Sequence, residues 1–355
     1  MCSGVEIRLW QRTEWLRHNV RASNQRHDER TRLFVEIDTG SKSGWGEVSP
    51  LISSVGDDPA MGDVLSDLAR RALPAVVDIC RREGSLPLWS RSHLVANDSR
   101  ADVWAWAAVE MALLDLELVF ANQSLETLWA VDASSVSFMA TTSLLEFDSE
   151  WLPAPAARRI RLKSGPHVEI SNFRDAISSW ARPVILDFNG SADSPVTVQQ
   201  QVEQLESVVE VVAVEQPFAT GNLVASAELA KIVGIAVSLD EGVRTVRDVR
   251  RIAQYGAATM ICVKPPRVGG LAPARTILAE AQQLGLRSYV GGFFESPLAR
   301  RAHACVAAGF PVEPSDVGHV VLDDGSDPAD ASRSIGIGVL PDTHGARLVA
   351  SFRVD

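Results

Sequence analysis

Five charged residues recur between positions 163 and 264, each at the end of a short run of apolar residues. Successive members are separated by 24 to 28 residues. An interval of about 25 residues accommodates one strand, one helix and two short loops, so the series predicts consecutive βα units. The five are Lys163, Asp187, Glu215, Asp240 and Lys264.

In a parallel barrel the carboxyl ends of the strands face one mouth, so we expect these side chains to meet there. Three carboxylates, together with water and a substrate carboxylate, suit octahedral Mg²⁺, with Mn²⁺ as a substitute. A single acid after a strand is more often a helix cap or turn residue, and Asp187 with Asn189 alone fits an Asx-turn. The shared phase of Asp187, Glu215 and Asp240 favours a metal site.

The lysines of the series suit proton transfer. Lys163 lies two residues after Arg161, and the strand period of two directs both side chains into the barrel. Lys163 is interpreted as a general base, with simple pairing to neighbouring carboxylates as the alternative. Arg161 stays protonated, so we expect it to orient a carboxylate or to tune Lys163. Lys264 is expected roughly opposite Lys163, and an amine on each face suits a carbon acid.

Composition and motifs exclude several classes of function. The net charge of −11 gives no basic footprint for nucleic acid. No apolar run approaches the length of a membrane span, and no secretory signal is visible, so we expect a cytoplasmic protein. The cysteines lack C-x-x-C spacing, which argues against a zinc or disulfide framework, and are interpreted as ordinary buried or surface thiols. No P-loop or G-x-S-x-G motif occurs, which excludes nucleotide binding and serine hydrolysis. The expected partner is a small-molecule carboxylate; nothing indicates an oligomeric state.

The 355 residues divide into three predicted parts. Residues 1–130 are expected to form an α+β capping domain, residues 131–318 an α/β barrel, and residues 319–355 a segment that returns to the capping domain. Within the capping domain, apolar runs at 5–10 and 31–38 predict two antiparallel strands joined by a mobile loop over the polar residues 15–30. A long apolar helix is predicted from Asp102 as its N-cap.

Several motifs in fixed order carry a resemblance to a known family. They include GWGE at Gly44–Glu47, RIRLKSG, ILDFNG, VEQPF, VSLDEG, VKPPRVGGL, VGGFFES and PSD at Pro314–Asp316. This order resembles the enolase superfamily in its muconate-lactonizing branch, most closely the o-succinylbenzoate synthase and N-succinylamino acid racemase group. The resemblance covers most of the chain and implies a (β/α)7β TIM-like barrel with an α+β capping domain.

The resemblance also implies roles for individual residues. Asp187, Glu215 and Asp240 match the Mg²⁺ ligands, and Lys163 and Lys264 match the two catalytic lysines. Capping loops at Leu16–Asp28 and Val48–Pro59 would cover the mouth and determine specificity. The family's K-x-K pair differs here, since Arg161 stands in place of the first lysine. Further residues expected to contact the substrate or support the site are Asn189, Glu241, Gly291, Gly292, Glu295, Ser315 and Asp316.

The implied chemistry is removal of a proton α to a carboxylate, giving an enediolate whose charge Mg²⁺ stabilises. The first hypothesis is an o-succinylbenzoate synthase-like dehydratase of menaquinone synthesis, in which Lys163 is the acid and base and Lys264 stabilises the enediolate. The second is an N-succinylamino acid racemase, in which both lysines exchange protons; GGFFES resembles that group. The third is a non-catalytic barrel retained for binding.

Overall fold

The computed structural model describes residues 4–22, 25–90, 99–145, 147–149, 151–318, 331–332, 334–341 and 343–354. Its strands are β1 (Glu6–Ala22), β2 (Gln25–Asp38), β3 (Ser43–Val48), β4 (Met139–Ser143), β5 (Arg159–Lys163), β6 (Val184–Asp187), β7 (Val211–Glu215), β8 (Ala236–Leu239), β9 (Met260–Val263), β10 (Arg287–Val290), β11 (Ala331–Ser332), β12 (Val339–Leu340) and β13 (Arg347–Arg353). Its α-helices are α1 (Met61–Asp67), α2 (Leu73–Glu83), α3 (Arg100–Ala121), α4 (Leu125–Trp129), α5 (Arg174–Trp180), α6 (Pro195–Glu206), α7 (Leu223–Ile232), α8 (Val246–Tyr255), α9 (Pro265–Val268), α10 (Leu271–Gln283) and α11 (Pro297–Ala308).

The capping domain is an antiparallel sheet packed on helices. The sheet order is β13-β1-β2-β3, and β1 pairs with β13 along its outer edge. Helix α3 lies directly against β3, since a Cβ added at Gly46 would stand 2.0 Å from the Ala108 carbonyl oxygen. Glycine at this position therefore sets how closely the sheet and the long helix approach.

The second domain is a parallel barrel whose strands are short, apolar and buried. Seven strands follow one another in the order β4 to β10. Residues 313–316 close the ring: Glu313 N donates to Ser288 O at 2.8 Å, beside β10, and Met139 N of β4 donates to Ser315 O at 3.0 Å. This segment takes the eighth strand position, and the (β/α)7β barrel with its α+β cap is confirmed.

Two local predictions in the capping domain were wrong. The polar stretch 15–30 is not a loop, because β1 continues to Ala22 and β2 begins at Gln25, with Trp15 paired to Glu29. Backbone pairing in a hairpin does not require apolar side chains. The polar character of these residues was therefore not evidence for a loop. Residues 23–24 lie outside the described residues, and so do the side chains of residues 17–27. For most of the predicted capping loop Leu16–Asp28, the structure therefore describes the backbone strands but not the side chains.

The start of the long helix was also misplaced. Its N-cap is Ser99, whose side chain accepts a hydrogen bond from Asp102 N at 3.2 Å. Asp102 is therefore inside the first turn, where a carboxylate also interacts favourably with the helix dipole. Among the described residues, no helix is long and apolar enough to cross a membrane.

Candidate active site

The five charged residues of the series reach the same end of the barrel. Lys163, Asp187 and Glu215 close β5, β6 and β7 and stand in register with one another across neighbouring strands. Asp240 and Lys264 follow directly after β8 and β9. All five are buried. Strand phase therefore brought the charged groups together, as the spacing predicted.

The two lysines stand on opposite sides of this mouth. Lys163 ends β5 and Lys264 follows β9, which are four strand positions apart in either direction around the eight-position barrel. A molecule held over the barrel axis would therefore present one face to each amine.

Glu215 and Asp240 bring their carboxylates close together at the mouth. Within the part of the chain that the structure describes, the three metal-ligating side chains whose ligand atoms lie within 4.8 Å of one another are Glu215, Asp240 and Cys262. Asp187 lies outside this group because it is held by Lys163, at 3.2 Å from Nζ, and by its acceptance of a hydrogen bond from Asn189 N at 2.9 Å. The Asx-turn expected for Asp187 as an alternative is thus present beside its place at the mouth.

The surroundings of Glu215 indicate whether these residues fit a divalent cation. Both carboxylate oxygens are buried without a hydrogen bond, although Arg161 Nε lies 3.3 Å from Oε2 as an ion pair. Burial, opposed by Arg161 but reinforced by the charges of Asp187 and Asp240, raises the pKa of Glu215 to about 8. A buried carboxylate without hydrogen-bond donors is costly. Since hard oxygens are what Mg²⁺ prefers, the donor set of Glu215, Asp240 and Asp187 fits that ion.

Asp240 is surrounded by positive charge. Lys264 Nζ lies 2.9 Å from Oδ2, and Arg267 binds Oδ1. Burial opposes ionisation, but Arg267 and Lys264 hold the pKa of Asp240 far below its ordinary value. Lys264 also lies 4.4 Å above the centre of the Phe293 ring. Burial acts to lower the pKa of Lys264 and Asp240 acts to raise it; the net effect of its surroundings is a raised pKa, so the ammonium form is favoured.

Arg267 connects the mouth to the capping domain and was missed in the sequence. Its Nε and Nη2 donate to the two carboxylate oxygens of Asp58 at 2.9 and 2.6 Å, while Arg244 donates to Asp58 at 3.0 Å. Asp58 belongs to the predicted loop Val48–Pro59, so that loop is anchored beside Asp240. Arg267 lies in the VKPPRVGG motif, three residues after Lys264. A second basic residue so close to Lys264 was the signal in the sequence that could have identified it.

Lys163 lies in a polar cluster on the opposite side. Its Nζ donates to Asn189 Oδ1 at 2.7 Å, and Asn189 Nδ2 donates to Glu241 Oε1 at 3.3 Å. Burial, with Asp240 nearby, raises the pKa of Glu241 to about 7. The amine of Lys163 thus has its orientation fixed by Asp187 and Asn189.

Arg161 lies between two acids. It pairs with Glu215 and, through Nη2, with Asp316 at 3.1 Å. Ser315 is less central to the mouth: its hydroxyl accepts from Val290 N at 3.0 Å and donates to Glu313 O at 3.1 Å, contacts that hold the closing segment in place.

The glycines after β10 are required by close packing. A Cβ at Gly291 would stand 2.5 Å from Cys262 Sγ, and one at Gly292 would stand 2.7 Å from Asp316 O.

Glu295 is buried beside the capping domain, where its carboxylate lies 3.9 Å from His303 Nδ1. Burial, and then the charge of Glu47, raise the pKa of Glu295 to about 7.

Cys262 is the second group that sequence reasoning missed. It was interpreted as an ordinary buried or surface thiol, but it lies on β9 two residues before Lys264, which directly follows that strand, so the period of two directs both side chains inward. That same rule, applied to Arg161 and Lys163, was the available signal.

Comparisons with known proteins agree with this architecture. Residues 155–345 match the enolase C-terminal domain-like family, and the chain belongs to this family. It is similar to the o-succinylbenzoate synthase of Bacillus subtilis (strain 168), with 26% identity over 312 residues, 85% of this chain and 81% of the relative. It is also similar to the N-succinylamino acid racemase of an Amycolatopsis species, with 28% identity over 319 residues, 86% of this chain and 83% of the relative.

The fold has a solved counterpart in an enolase superfamily member from Listeria innocua. The two chains superpose with a TM-score of 0.78 at 19% identity, over 99% of this chain and 100% of the other. This similarity extends through the capping domain as well as the barrel.

Proposed function

We propose that the protein is a Mg²⁺-dependent dehydratase of the o-succinylbenzoate synthase type, acting in menaquinone synthesis. Its substrate would be a small cyclohexadiene carboxylate that carries a hydrogen α to the carboxylate and a hydroxyl on the neighbouring carbon. The observation that carries the proposal is the placement of Lys163 and Lys264 on opposite sides of a mouth lined by buried acids. The similarity to an o-succinylbenzoate synthase and to an N-succinylamino acid racemase supports the reaction class.

The ion would be held by Asp187, Glu215 and Asp240. When bound, Mg²⁺ supplies positive charge that stabilises the two oxygens of a substrate carboxylate as they gain electron density. Asp187 would turn from Lys163 to complete the set, which would free the amine for the substrate.

Lys163 would act as the base and then as the acid. Its neutral amine takes the α proton, and the electrons of the broken C–H bond form the enediolate. The C–O bond of the neighbouring hydroxyl then breaks, the electrons of the enediolate form the new C=C bond, and the proton on Lys163 joins the leaving hydroxide as water. Asn189 orients the amine through the 2.7 Å hydrogen bond.

Lys264 would remain charged throughout. Its contact with Asp240 and its position over Phe293 favour the ammonium form, which stabilises negative charge on the substrate without exchanging a proton. The charged state of Lys264 favours elimination at one face of the substrate over proton exchange at both faces.

Racemisation of N-succinylamino acids is the second candidate. The same opposed amines that suit the dehydratase would allow proton removal on one face and proton delivery on the other. The similarity to the Amycolatopsis racemase supports it. The two functions differ in whether Lys264 must exchange its proton.

A substrate panel separates the candidates. Purified protein with Mg²⁺ is incubated with the cyclohexadiene precursor and, in D₂O, with N-succinylamino acids of known configuration. The dehydratase is expected to release the aromatic product and to leave the configuration of the amino acids unchanged. Inversion with deuterium in both enantiomers, and negligible dehydration, would overturn the first choice in favour of the second.

Variants assign the lysines. Lys163→Ala should lower kcat by about 1,000-fold or more and leave Mg²⁺ binding measured by calorimetry largely intact, because the ammonium is not a ligand. Lys264→Arg should retain part of the dehydratase activity, since a fixed cation is preserved, but it would abolish racemisation. Arg161→Lys is the matched control and should preserve turnover. Near-normal turnover by Lys163→Ala would contradict the assignment.

A further inference from the structure

The barrel interior places a thiol directly against the carboxylates of the mouth. Asp240 directly follows β8 and Cys262 lies on β9; the register in which Ser238 pairs with Met260 and Leu239 with Ile261 places them next to each other. The Cys262 side chain is fully buried. The missing Cβ of Gly291 leaves the space that Sγ needs, because a methyl group there would lie 2.5 Å from the sulfur.

The ligand atoms of Glu215, Asp240 and Cys262 are close enough to surround one ion. They lie within 4.8 Å of one another. Zinc bonds of about 2.1 Å to oxygen and about 2.3 Å to sulfur place tetrahedral ligand atoms roughly 3.5 Å apart, so each atom would move by less than about 1 Å. In the part of the chain that the structure describes, neither oxygen of Glu215 has a hydrogen bond, and Arg161 Nε forms an ion pair with Oε2 at 3.3 Å. Oε1 is therefore the oxygen that is open to an ion.

The chemistry of this donor set differs from that of three carboxylates. A thiolate is a soft ligand that favours Zn²⁺ and similar ions, whereas Mg²⁺ prefers oxygen and keeps several waters. Asp187 is not required, since it stays paired with Lys163 at 3.2 Å. Asp240 retains lone pairs for a metal even while Lys264 and Arg267 contact it.

We propose that Glu215, Asp240 and Cys262 form a second, thiophilic mode of metal binding at the mouth, which takes Zn²⁺ or Cd²⁺ and excludes Mg²⁺. The metal–sulfur bond replaces the S–H bond, and the thiol proton passes to the solvent. The two modes exclude each other because both use Glu215 and Asp240. Thiophilic ions would thus block the site that hard ions occupy.

The test uses Cd²⁺ and ultraviolet difference spectroscopy on the metal-free full-length protein, with no substrate present. Wild type should show a sulfur-to-cadmium charge-transfer band that saturates at one equivalent and declines as Mg²⁺ is added in excess. Cys262→Ser, which keeps the size of the side chain, should lose the band and weaken Cd²⁺ binding on the order of 100-fold. Cys305→Ser is the matched control, because Cys305 is also a buried thiol but lies on α11, and it should retain the band.

The outcomes are distinct from those of the turnover experiments. A band that persists in Cys262→Ser, or that is absent from wild type while Cd²⁺ still binds, would overturn the proposal whatever reaction the protein catalyses. Circular dichroism establishes that the serine variant is folded. Glu215→Gln, which keeps the thiol, provides an independent check. In this variant the charge-transfer band should need more Cd²⁺ to reach saturation. A titration curve identical to that of wild type would also contradict the proposed ligand set.

Discussion

The ion pair between Asp58 and Arg267 is expected to be a large contributor to stability, and its neighbour provides a control. Only 7% of the Asp58 side chain and 1% of the Arg267 side chain are exposed. The substitution Asp58→Asn keeps the size of the side chain but removes the charge that faces both Arg267 and Arg244. Arg267 would then keep Asp240 as its remaining acidic partner.

The magnitude follows from burial. Removing one partner of a buried ion pair costs about 3–5 kcal/mol, because the other charge stays desolvated. The unfolding entropy of a 355-residue chain is about 0.75 kcal/mol per degree at typical values per residue, so Tm should fall by about 4–7 °C. Asp57 pairs with Arg100, but these side chains are 39% and 44% exposed. Asp57→Asn should therefore cost at most about 1 kcal/mol, or about 1 °C.

Thermal unfolding of both variants under identical metal-free conditions provides the measurement. We expect a clear separation between two adjacent aspartates that each pair with an arginine. Equal shifts in Tm, or a shift below about 1 °C for Asp58→Asn, would refute the claim that burial determines the strength of this contact.

Two further predictions concern stability. Gly46→Ala should lower Tm or prevent folding, because its Cβ would lie 2.0 Å from Ala108 O. The control Gly62→Ala, whose Cβ would have no atom within 4 Å, should raise stability by up to about 1 kcal/mol. Similar thermal unfolding of the two variants would contradict the close approach of β3 and α3. Glu295 has its pKa raised from 4.5 to about 7, so its stabilising contribution is complete below pH 4.5 and is lost as pH rises through 7. The free energy of unfolding of wild type should therefore fall by about 3 kcal/mol relative to Glu295→Gln over that range, measured by urea titration at several pH values; a constant difference would show that Glu295 ionises normally.

The barrel was predictable because its signal repeats. Each of Asp187, Glu215 and Asp240 follows a short buried strand, and the nearly constant spacing reports the length of one βα unit. A common phase along parallel strands then determines which end of the barrel they share. This information is local in sequence, so no knowledge of tertiary contacts was needed.

The partners of these residues were not predictable in the same way. Asp58 reaches Arg267 across 209 residues, and that contact depends on how the capping loop docks on the barrel. Cys262 was set aside because thiols are usually buried for packing, and only its neighbours reveal its position beside Glu215 and Asp240. The extent of β1 and β2 was misjudged because polar side chains conceal backbone pairing.

The pairing of β13 with β1 affects the order in which the sheet is completed during synthesis. Residues 347–353 leave the ribosome about 340 residues after the start of β1, a delay of roughly 17–70 s at common rates of translation. During this delay the outer edge of β1 exposes unpaired backbone groups that favour association with other nascent chains. Glu6 and Arg8 lie on that edge, and charged side chains discourage such pairing. We therefore expect these charges to discourage association until β13 docks, when Glu6 gains Arg353 as a partner at 3.6 Å.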